Sequence, residues 1–465
     1  MGQTDGGAPM AKDTLFELPE PQAPKPERLT SPQQARVLRP VRNQVEWVER
    51  DLDASLPDDH PARTIWAFLE RLDLSPFYAS IRSVLGRAGH PTTDPQVLLA
   101  LWLFATSEGI GSARQIDRLC KEHDAYRWLC GGVPINYHTL SDFRVAHQEA
   151  LDNLLTEILA SMMSAGLVKL QHVAQDGMRV RASAGTSSFR RESSLQRCLV
   201  EAEQQVVALA AEREHPDPGR TARQEAARER AARERQQRVE KALQRLPKVQ
   251  AAKERSKKTE SKAKKKKVTE ARVSTTDPES RVMKMPDGGF RPAYNLQLAA
   301  DEDSQVIVAV AVDTTGSDGG QAPSGVEQVV RRTGRSPKAY LMDGGFAKRE
   351  DVTTLELCGV TVYAPTRSPR TTTSGRTKAD PRCDDTPEVA RWRERMETEE
   401  AKEIYKGRAA TAECVNAHAR RYGLRQLLVR GADKVLSVLL LVAVTHNLLR
   451  WMTLSAGAGI QEQLI

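Results

Sequence analysis

By residue type and setting, Asp176, Asp343 and Glu413 are the side chains best placed to do chemistry. Asp176 lies in His172-Val173-Ala174-Gln175-Asp176-Gly177-Met178-Arg179-Val180, a run with strand character. Asp343 closes a second strand-like run, Lys338 to Met342, and precedes Gly344-Gly345-Phe346. Glu413 falls on a helical stretch that starts near Tyr405. Carboxylates offer only oxygen, which suits a hard cation such as Mg²⁺ (or Mn²⁺) that keeps waters and takes phosphate oxygens into its shell. Two such ions about 4 Å apart can activate an attacking oxygen and stabilise a leaving one in an in-line displacement at phosphorus. The reaction needs acids from separate elements brought to one point, and strand ends supply the rigidity. Each acid alone has a plainer reading: Asp343 could open a turn, and Glu413 could be one more charge on a solvated helix. Together and in this order they predict a site in which Asp176, Asp343 and Glu413 are both catalytic residues and metal ligands.

The neighbouring charges fit a phosphate-bearing partner. Arg420, seven residues after Glu413, shares its helix face, whereas Arg408 need not. Either could meet a phosphate, or either could be ordinary surface charge. Lys264, Lys265, Lys266 and Lys267 end a run of Lys, Arg, Ser and Glu that reads as a DNA-contacting arm or a solvated linker. Trp392, flanked by Arg391 and Arg393, could stack on a base, but a core-facing Trp is the better expectation.

The elements that must position these groups come in a definite order. Residues 1–42 have the composition of a disordered tail. Residues 43–167 read as helical. Asp94-Pro95 starts an apolar helix, Gly109-Ile110-Gly111 breaks it, and Ser112 caps the next. That pair resembles a helix-turn-helix DNA-binding unit, although an ordinary helical bundle explains the spacing as well. Residues 168–189 switch to strand. Residues 190–272 form a charged insertion, in which Leu195, Leu199, Ala202, Val206 and Leu209 make a heptad seam. A second seam, Ala232, Val239, Leu243 and Leu246, follows a Pro/Gly turn, so an antiparallel helical hairpin is expected. Residues 273–452 alternate strands (294–299, 305–312, 338–342, 360–364) with helices (325–332, 348–357, 388–421, 432–452), and 453–465 form a C-terminal tail. The fold class is α/β, a mixed sheet covered by helices, preceded by an all-α domain and interrupted by the hairpin. The order strand Asp, strand-end Asp, helix Glu is that of RNase H-like folds.

Composition agrees with this picture. The 465 residues carry 69 Lys plus Arg against 61 Asp plus Glu, a formal net charge of +8 and a pI near 9.1. A basic balance favours polyanions, because Lys and Arg displace the counterions condensed on nucleic acid. The six cysteines form no C-x-x-C pair, which excludes a structural zinc reading and fits a reducing cytoplasm. No apolar leader is visible, and the longest apolar run, Val435 to Val444, predicts a buried helix rather than a membrane span.

Several blocks carry a resemblance: His60-Pro61-Ala62-Arg63, Leu72-Asp73-Leu74-Ser75, Tyr137 to Arg144, Thr276 to Arg281, Tyr294-Asn295-Leu296-Gln297, Asp343-Gly344-Gly345-Phe346, Tyr405-Lys406-Gly407-Arg408 and His446-Asn447-Leu448. With the Asp176 strand they make the chain resemble DDE transposases of bacterial insertion sequences, the IS1182 group of the IS4/IS5-like superfamily. The resemblance implies an RNase H-like catalytic domain using Mg²⁺ (or Mn²⁺), with Asp176, Asp343 and Glu413 as its ligands and Tyr405 and Arg408 as the helix signature. It also implies double-stranded DNA partners (terminal inverted repeats and target), a homodimer in the synaptic complex, and a cytoplasmic, DNA-associated protein with no membrane partner. In two places the chain departs from the wider pattern. Four residues, Ala409 to Ala412, separate Arg408 from Glu413 where three are usual, and Arg420 stands at the signature's Lys position. The alternatives are a decayed or domesticated DNA-binding protein and a nuclease of the same fold that never joins strands.

Overall fold

Residues 51–83, 91–212, 219, 221–258, 270–366 and 382–457 are described by the structure, a computed structural model. The N-terminal tail, Lys264 to Lys267 and most of the Thr/Arg/Pro-rich loop lie outside the described residues.

Residues 51–167 build helices wherever a cap meets an apolar run. These are α1 (Pro61–Leu69), α2 (Ser75–Tyr78), α3 (Pro95–Ser107), α4 (Ala113–Glu122), α5 (Asp124–Cys130), α6 (Tyr137–Ala146) and α7 (Gln148–Ser164). Asp94 caps α3 by accepting a hydrogen bond from Gln96 N (2.8 Å), and Pro95 sits where its missing N–H costs nothing. Every residue of α3 from Val97 to Thr106 is buried, so this helix is apolar all round and lies at the centre of its layer. Gly109 ends it with φ +77°, and a Cβ there would stand 2.5 Å from the backbone oxygen of Arg421. Only glycine lets this turn pack against the backbone at Arg421.

The sheet follows. Strand β1 (His172–Arg181) is central, and after it come a short β2 (Phe189–Arg190) and the helices α8 (Glu192–Glu212) and α9 (Ala222–Lys258). Leu195 and Ala202 of α8 and Ala232, Val239, Ala242 and Leu246 of α9 are buried between the two helices, and Arg228 meets Glu212 while Arg235 meets Glu201. Those pairings run antiparallel, as the two seams require. Strand β3 (Val273–Ser274) pairs with β2, and β4 (Arg281–Lys284), β5 (Phe290–Asp301) and β6 (Ile307–Asp313) return to the main sheet. Then come α10 (Ala322–Thr333), β7 (Ala339–Met342), α11 (Arg349–Leu357), β8 (Thr361–Tyr363), α12 (Pro387–Arg395), α13 (Glu399–Arg421) and α14 (Ala432–Gly457). The strand order is β4-β5-β1-β7-β8, with β6 also pairing β5. Strand β1 is antiparallel to β5 and parallel to β7, which makes the sheet mixed.

Two expectations change in detail. The strand expected from Gln305 starts at Ile307, because Gln305 turns the hairpin at φ +57°. The single helix expected over 388–421, or from near Tyr405, is two helices. Thr398 Oγ1 accepts from Ala401 N (3.2 Å) and restarts the chain as α13, with Glu399 and Glu400 in its favourable first turn. The helix expected over 432–452, with the apolar run 435–444 in its middle, forms as α14 and runs on to Gly457. By length and composition α14 could cross a membrane, yet 67% of its most apolar window is buried inside the fold. Asn447 pins it there, accepting from Ile307 N and donating to Ile307 O (both 2.8 Å). One continuous apolar core runs from Leu56 through β1, β5 and β6 to Leu448, joining the helical layer to the sheet.

Candidate active site

Asp176 occupies a fixed point because β1 is held on both edges. It pairs with Leu298 of β5, and one residue earlier Gln175 pairs with Met342, the last residue of β7. Continuing that parallel register by one step brings Asp343 beside Asp176. Asp343 opens the turn Asp343-Gly344-Gly345-Phe346, closed by Phe346 N donating to Asp343 O (2.9 Å) and anchored by the buried Phe346 ring. The structure thus brings two of the three expected acids together on neighbouring strands, Asp176 midway along β1 and Asp343 just past the end of β7.

Helix α13 covers Asp176. Arg408 Nη2 donates to Asp176 Oδ1 (3.0 Å), Asn416 Nδ2 donates to Oδ2 (2.9 Å), and Gly177 N–H donates to Oδ1 (2.9 Å). Burial pushes the Asp176 carboxyl above the usual carboxylate range; Arg408 and the Gly177 N–H oppose this, while the charges of Asp318 and Asp343 add to it. Tyr405, half-buried one turn before Arg408, has its hydroxyl raised chiefly by burial. Arg408 pulls it down, and Asp343 and Asp176 push it up. Gly407 brings the helix this close, since a Cβ there would overlap the carboxylate of Glu302 at the end of β5.

Glu413 does not join the pair. Arg408, Ala412 and Asn416 follow one another at four-residue steps, so the helix direction facing Asp176 passes through Ala412. Glu413 lies about 100° further round the helix and is exposed, whereas Ala412 is buried. The four-residue spacing noted in the sequence therefore turns the carboxylate to the flank of the site. Arg420 is exposed too, and lines a groove with Arg144, Arg421 and Arg425 between the α3–α4 turn and the end of α13. Trp392 is buried with Arg393 over its ring (5.5 Å), as a core residue.

A further acid stands at the site that sequence reasoning did not single out. Asp318, in the loop between β6 and α10, accepts from Asn295 Nδ2 (2.6 Å) and Gln297 Nε2 (3.0 Å). Gln175 holds Gln297 in turn (3.0 Å), and buried Tyr340 donates to Gln175 (2.8 Å). A Cβ on Gly345 would stand 3.7 Å from both Asp318 Oδ2 and Asp343 Oδ2, so those oxygens are at most twice that distance apart. A Cβ on Gly177 would overlap Asp318 Oδ1 and come within 2.7 Å of Gln297 Nε2, so glycine at this one strand position lets the carboxylate rest on β1. A signal was present in the sequence: Asn295 and Gln297 put amides on one face of an otherwise buried strand, where they need a polar partner.

These donors suit a hard cation. They are all oxygens, and two buried amide oxygens beside them, Asn295 Oδ1 and Asn416 Oδ1, have no hydrogen-bond partner among the described residues. The acids do not close into a coordination sphere: among the described residues no three His, Cys, Asp or Glu side chains are grouped closely enough to hold a metal. Arg408 and the amides Asn295, Gln297 and Asn416 occupy Asp176 and Asp318 instead.

With this geometry in place, comparison with known families is informative at both ends of the chain. Residues 50–146 match the model for a transposase domain (DUF772), and residues 368–452 match the model for a transposase DDE domain. The chain carries transposase domains. The first match covers α1 to α6, and the second covers α12, all of α13 with Arg408, Glu413 and Asn416, and most of α14. Asp176, Asp318 and Asp343 lie in the stretch between them. The two matches indicate a transposase, and the DDE domain supports a nuclease or transposase activity. No curated protein and no solved structure matches the chain.

Proposed function

We propose that this protein is the transposase of an insertion sequence of the IS1182 group, which cleaves DNA at the element's terminal inverted repeats and joins the 3′ ends to target DNA. The observation that carries this reading is the adjacency of Asp176, midway along β1, and Asp343, just past the end of β7, under a helix of the DDE domain. The strand order β6-β5-β1-β7-β8, with β1 parallel to β7 and antiparallel to β5, supports an RNase H-like catalytic domain, to which 168–189 and 273–452 would belong. The helices of 43–167 would read the repeats.

Asp176 and Asp343 would hold Mg²⁺ or Mn²⁺, with Glu413 as the ligand that the family resemblance assigns and the helix presents on its flank. Bound divalent ions would polarise the scissile phosphate and make the attacking oxygen more nucleophilic. The protein's own part is positional. Arg408 neutralises Asp176 while the site awaits its substrate and stands ready to meet a DNA phosphate as a planar two-pronged donor. Tyr405, near enough for the charges of both acids to raise its hydroxyl, would limit water there. Arg420, with Arg421 and Arg425, offers charge to the DNA backbone leaving the site, and Lys264 to Lys267 would add a further contact. A homodimer would hold both element ends, and the protein would act in the cytoplasm on DNA, without a membrane partner.

The test is a supercoiled plasmid bearing the matching ends, incubated with the protein and Mg²⁺ or Mn²⁺. The reading expects strand nicks at the element ends and joined products, and expects Asp176→Asn and Asp343→Asn to bind the ends without nicking them. Nicking without joining would favour the nuclease; binding without nicking by the unaltered chain would favour a decayed copy.

A further inference from the structure

We propose that the groove between the α3–α4 turn and the end of α13 is a phosphate-binding site anchored by Arg144, and that it clamps one DNA backbone phosphate between the two transposase domains. This rests on the DNA-directed reading above and gives it a defined contact away from the carboxylates.

A buried charge without a counter-charge lies at the base of this groove. Arg144, on α6, is 7% exposed, and its guanidinium lies over the buried Trp102 ring, 4.8 Å from the centroid. Trp102 is itself fixed, donating Nε1–H to Leu140 O (3.0 Å). Among the described residues Arg144 makes one side-chain hydrogen bond, from Nη1 to Gly111 O (2.7 Å), and its buried Nε has no partner. Burial pushes its pKa down to about 10, and no carboxylate pulls it back. A guanidinium taken out of water is costly until a negative group meets it.

The rest of the lining calls for the same ligand. Arg420, Arg421 and Arg425 share the groove, a cavity of about 400 Å³, and all three are exposed. Glu108 is the one acid among the described lining residues, and it already accepts from Tyr126 (2.6 Å). Gly111 and Ser112 bring in the start of α4, whose positive end favours an anion. The carbonyls that close α13 have the opposite sign, but the N–H groups of Tyr422, Gly423 and Leu424 take them up (2.8, 3.2 and 3.1 Å). Leu424 and Leu441 make the facing wall apolar, which strengthens any charge pairing inside. Guanidinium forks match the paired oxygens of a phosphate.

The groove also joins two parts of the chain. Arg144 belongs to the segment that matches the DUF772 transposase domain, and Arg420 to Arg425 belong to the DDE segment. Gly109 and Gly423 hold the two walls together: a Cβ on Gly423 would stand 3.2 Å from Gly109 O. The walls are therefore set before a ligand arrives. Arg408 at Asp176 and Arg420 at the groove lie on the same helix, about 18 Å apart along its axis. The clamped phosphate is thus a different one from any held at Asp176.

The experiment measures binding of a fluorescein-labelled DNA duplex to the full chain by anisotropy, without divalent ions, so that the carboxylates play no part. Arg144→Gln and Arg425→Gln should each weaken binding about tenfold. Because they hold one phosphate, the double variant should lose clearly less than the roughly hundredfold of independent contacts. Arg335→Gln, before β7 and so at the end of the sheet away from Asp343, should change nothing. Unaltered binding by both groove variants, or losses that simply multiply, overturns the proposal and leaves the transposase reading standing. An unaltered chain that binds no duplex ends both. Should Arg144→Gln not fold, the unaltered chain decides through phenylglyoxal labelling of arginines read by mass spectrometry. Protection of Arg421 and Arg425 by the duplex, with Arg335 still reactive, supports the proposal. Groove arginines that stay reactive under the duplex, or that only inorganic phosphate protects, overturn it.

Discussion

Replacing Gly177 by Ala adds one methyl group at the point where the sheet, Asp318 and the amide relay meet. The new Cβ overlaps Asp318 Oδ1 and lies 2.7 Å from Gln297 Nε2 and 2.9 Å from Asn295 Oδ1, so three polar groups must move at once. Overpacking of this kind costs about 1–3 kcal/mol, and weakening a hydrogen bond to a carboxylate adds about 1.5–3 kcal/mol where the partner stays buried. Gly177 is not among the glycines with positive φ, so alanine also narrows the unfolded ensemble, an opposing gain of about 0.4–1 kcal/mol. The expected outcome is a loss of about 2–4 kcal/mol, read as a shift in urea midpoint at constant slope. The mechanism makes a sharper claim through a double-mutant cycle. In an Asp318→Ala background the first obstacle is gone, so Gly177→Ala should cost at least about 1 kcal/mol less than it does alone. Additive costs in that cycle, or a Gly177→Ala protein as stable as the parent, would refute the idea that Gly177 exists to seat Asp318.

Other consequences can be measured in the same way. His446 is buried, donates Nε2–H to Gln305 O (2.8 Å) and is faced by His418, Tyr422 and Arg450; burial lowers its pKa to about 4. The folded value lies below the unfolded one near 6.5, so stability is whole above pH 6.5 and falls as the pH drops towards 4, by about 3 kcal/mol. His446→Gln should flatten that acid limb in urea titrations at pH 7 and pH 4.5; an unchanged limb would contradict the burial argument. Arg332 is buried on α10 and binds α7 through the Asp152 carboxylate, Asp152 O (2.9 Å) and Thr156 Oγ1 (2.8 Å). Asp152→Ala should cost about 3–5 kcal/mol by leaving the buried Arg332 guanidinium without its counter-charge, and a loss below about 1 kcal/mol, the range of exposed pairs, would speak against this latch.

Much of this arrangement was written in local pattern. Asp94-Pro95 and Ser112 start helices because a side-chain acceptor precedes an apolar run, and that signal needs no tertiary context. Asp176 and Asp343 could be paired because both sit in or at the end of short apolar strands, and adjacent parallel strands place such residues together. Where the answer depended on rotation rather than sequence position, pattern was insufficient. One residue on a helix is about 100°, so Ala412 and Glu413 differ little as letters and decisively as directions. The break at Thr398 is a cap inside a charged segment that any helix could have run through. Asp318 lies in a glycine-rich loop, and its role becomes visible only when Gln297 and Asn295 cross from β5 to hold it.

The central claim is that Asp176 and Asp343 share a cation. Crystals of the full chain soaked in Mn²⁺ and recorded at the manganese absorption edge test it directly through anomalous density. The account predicts a peak within about 2.0–2.6 Å of carboxylate oxygens from both residues, with Arg408 displaced from Asp176. A peak at another carboxylate, or none at a concentration that supports nicking, would contradict it.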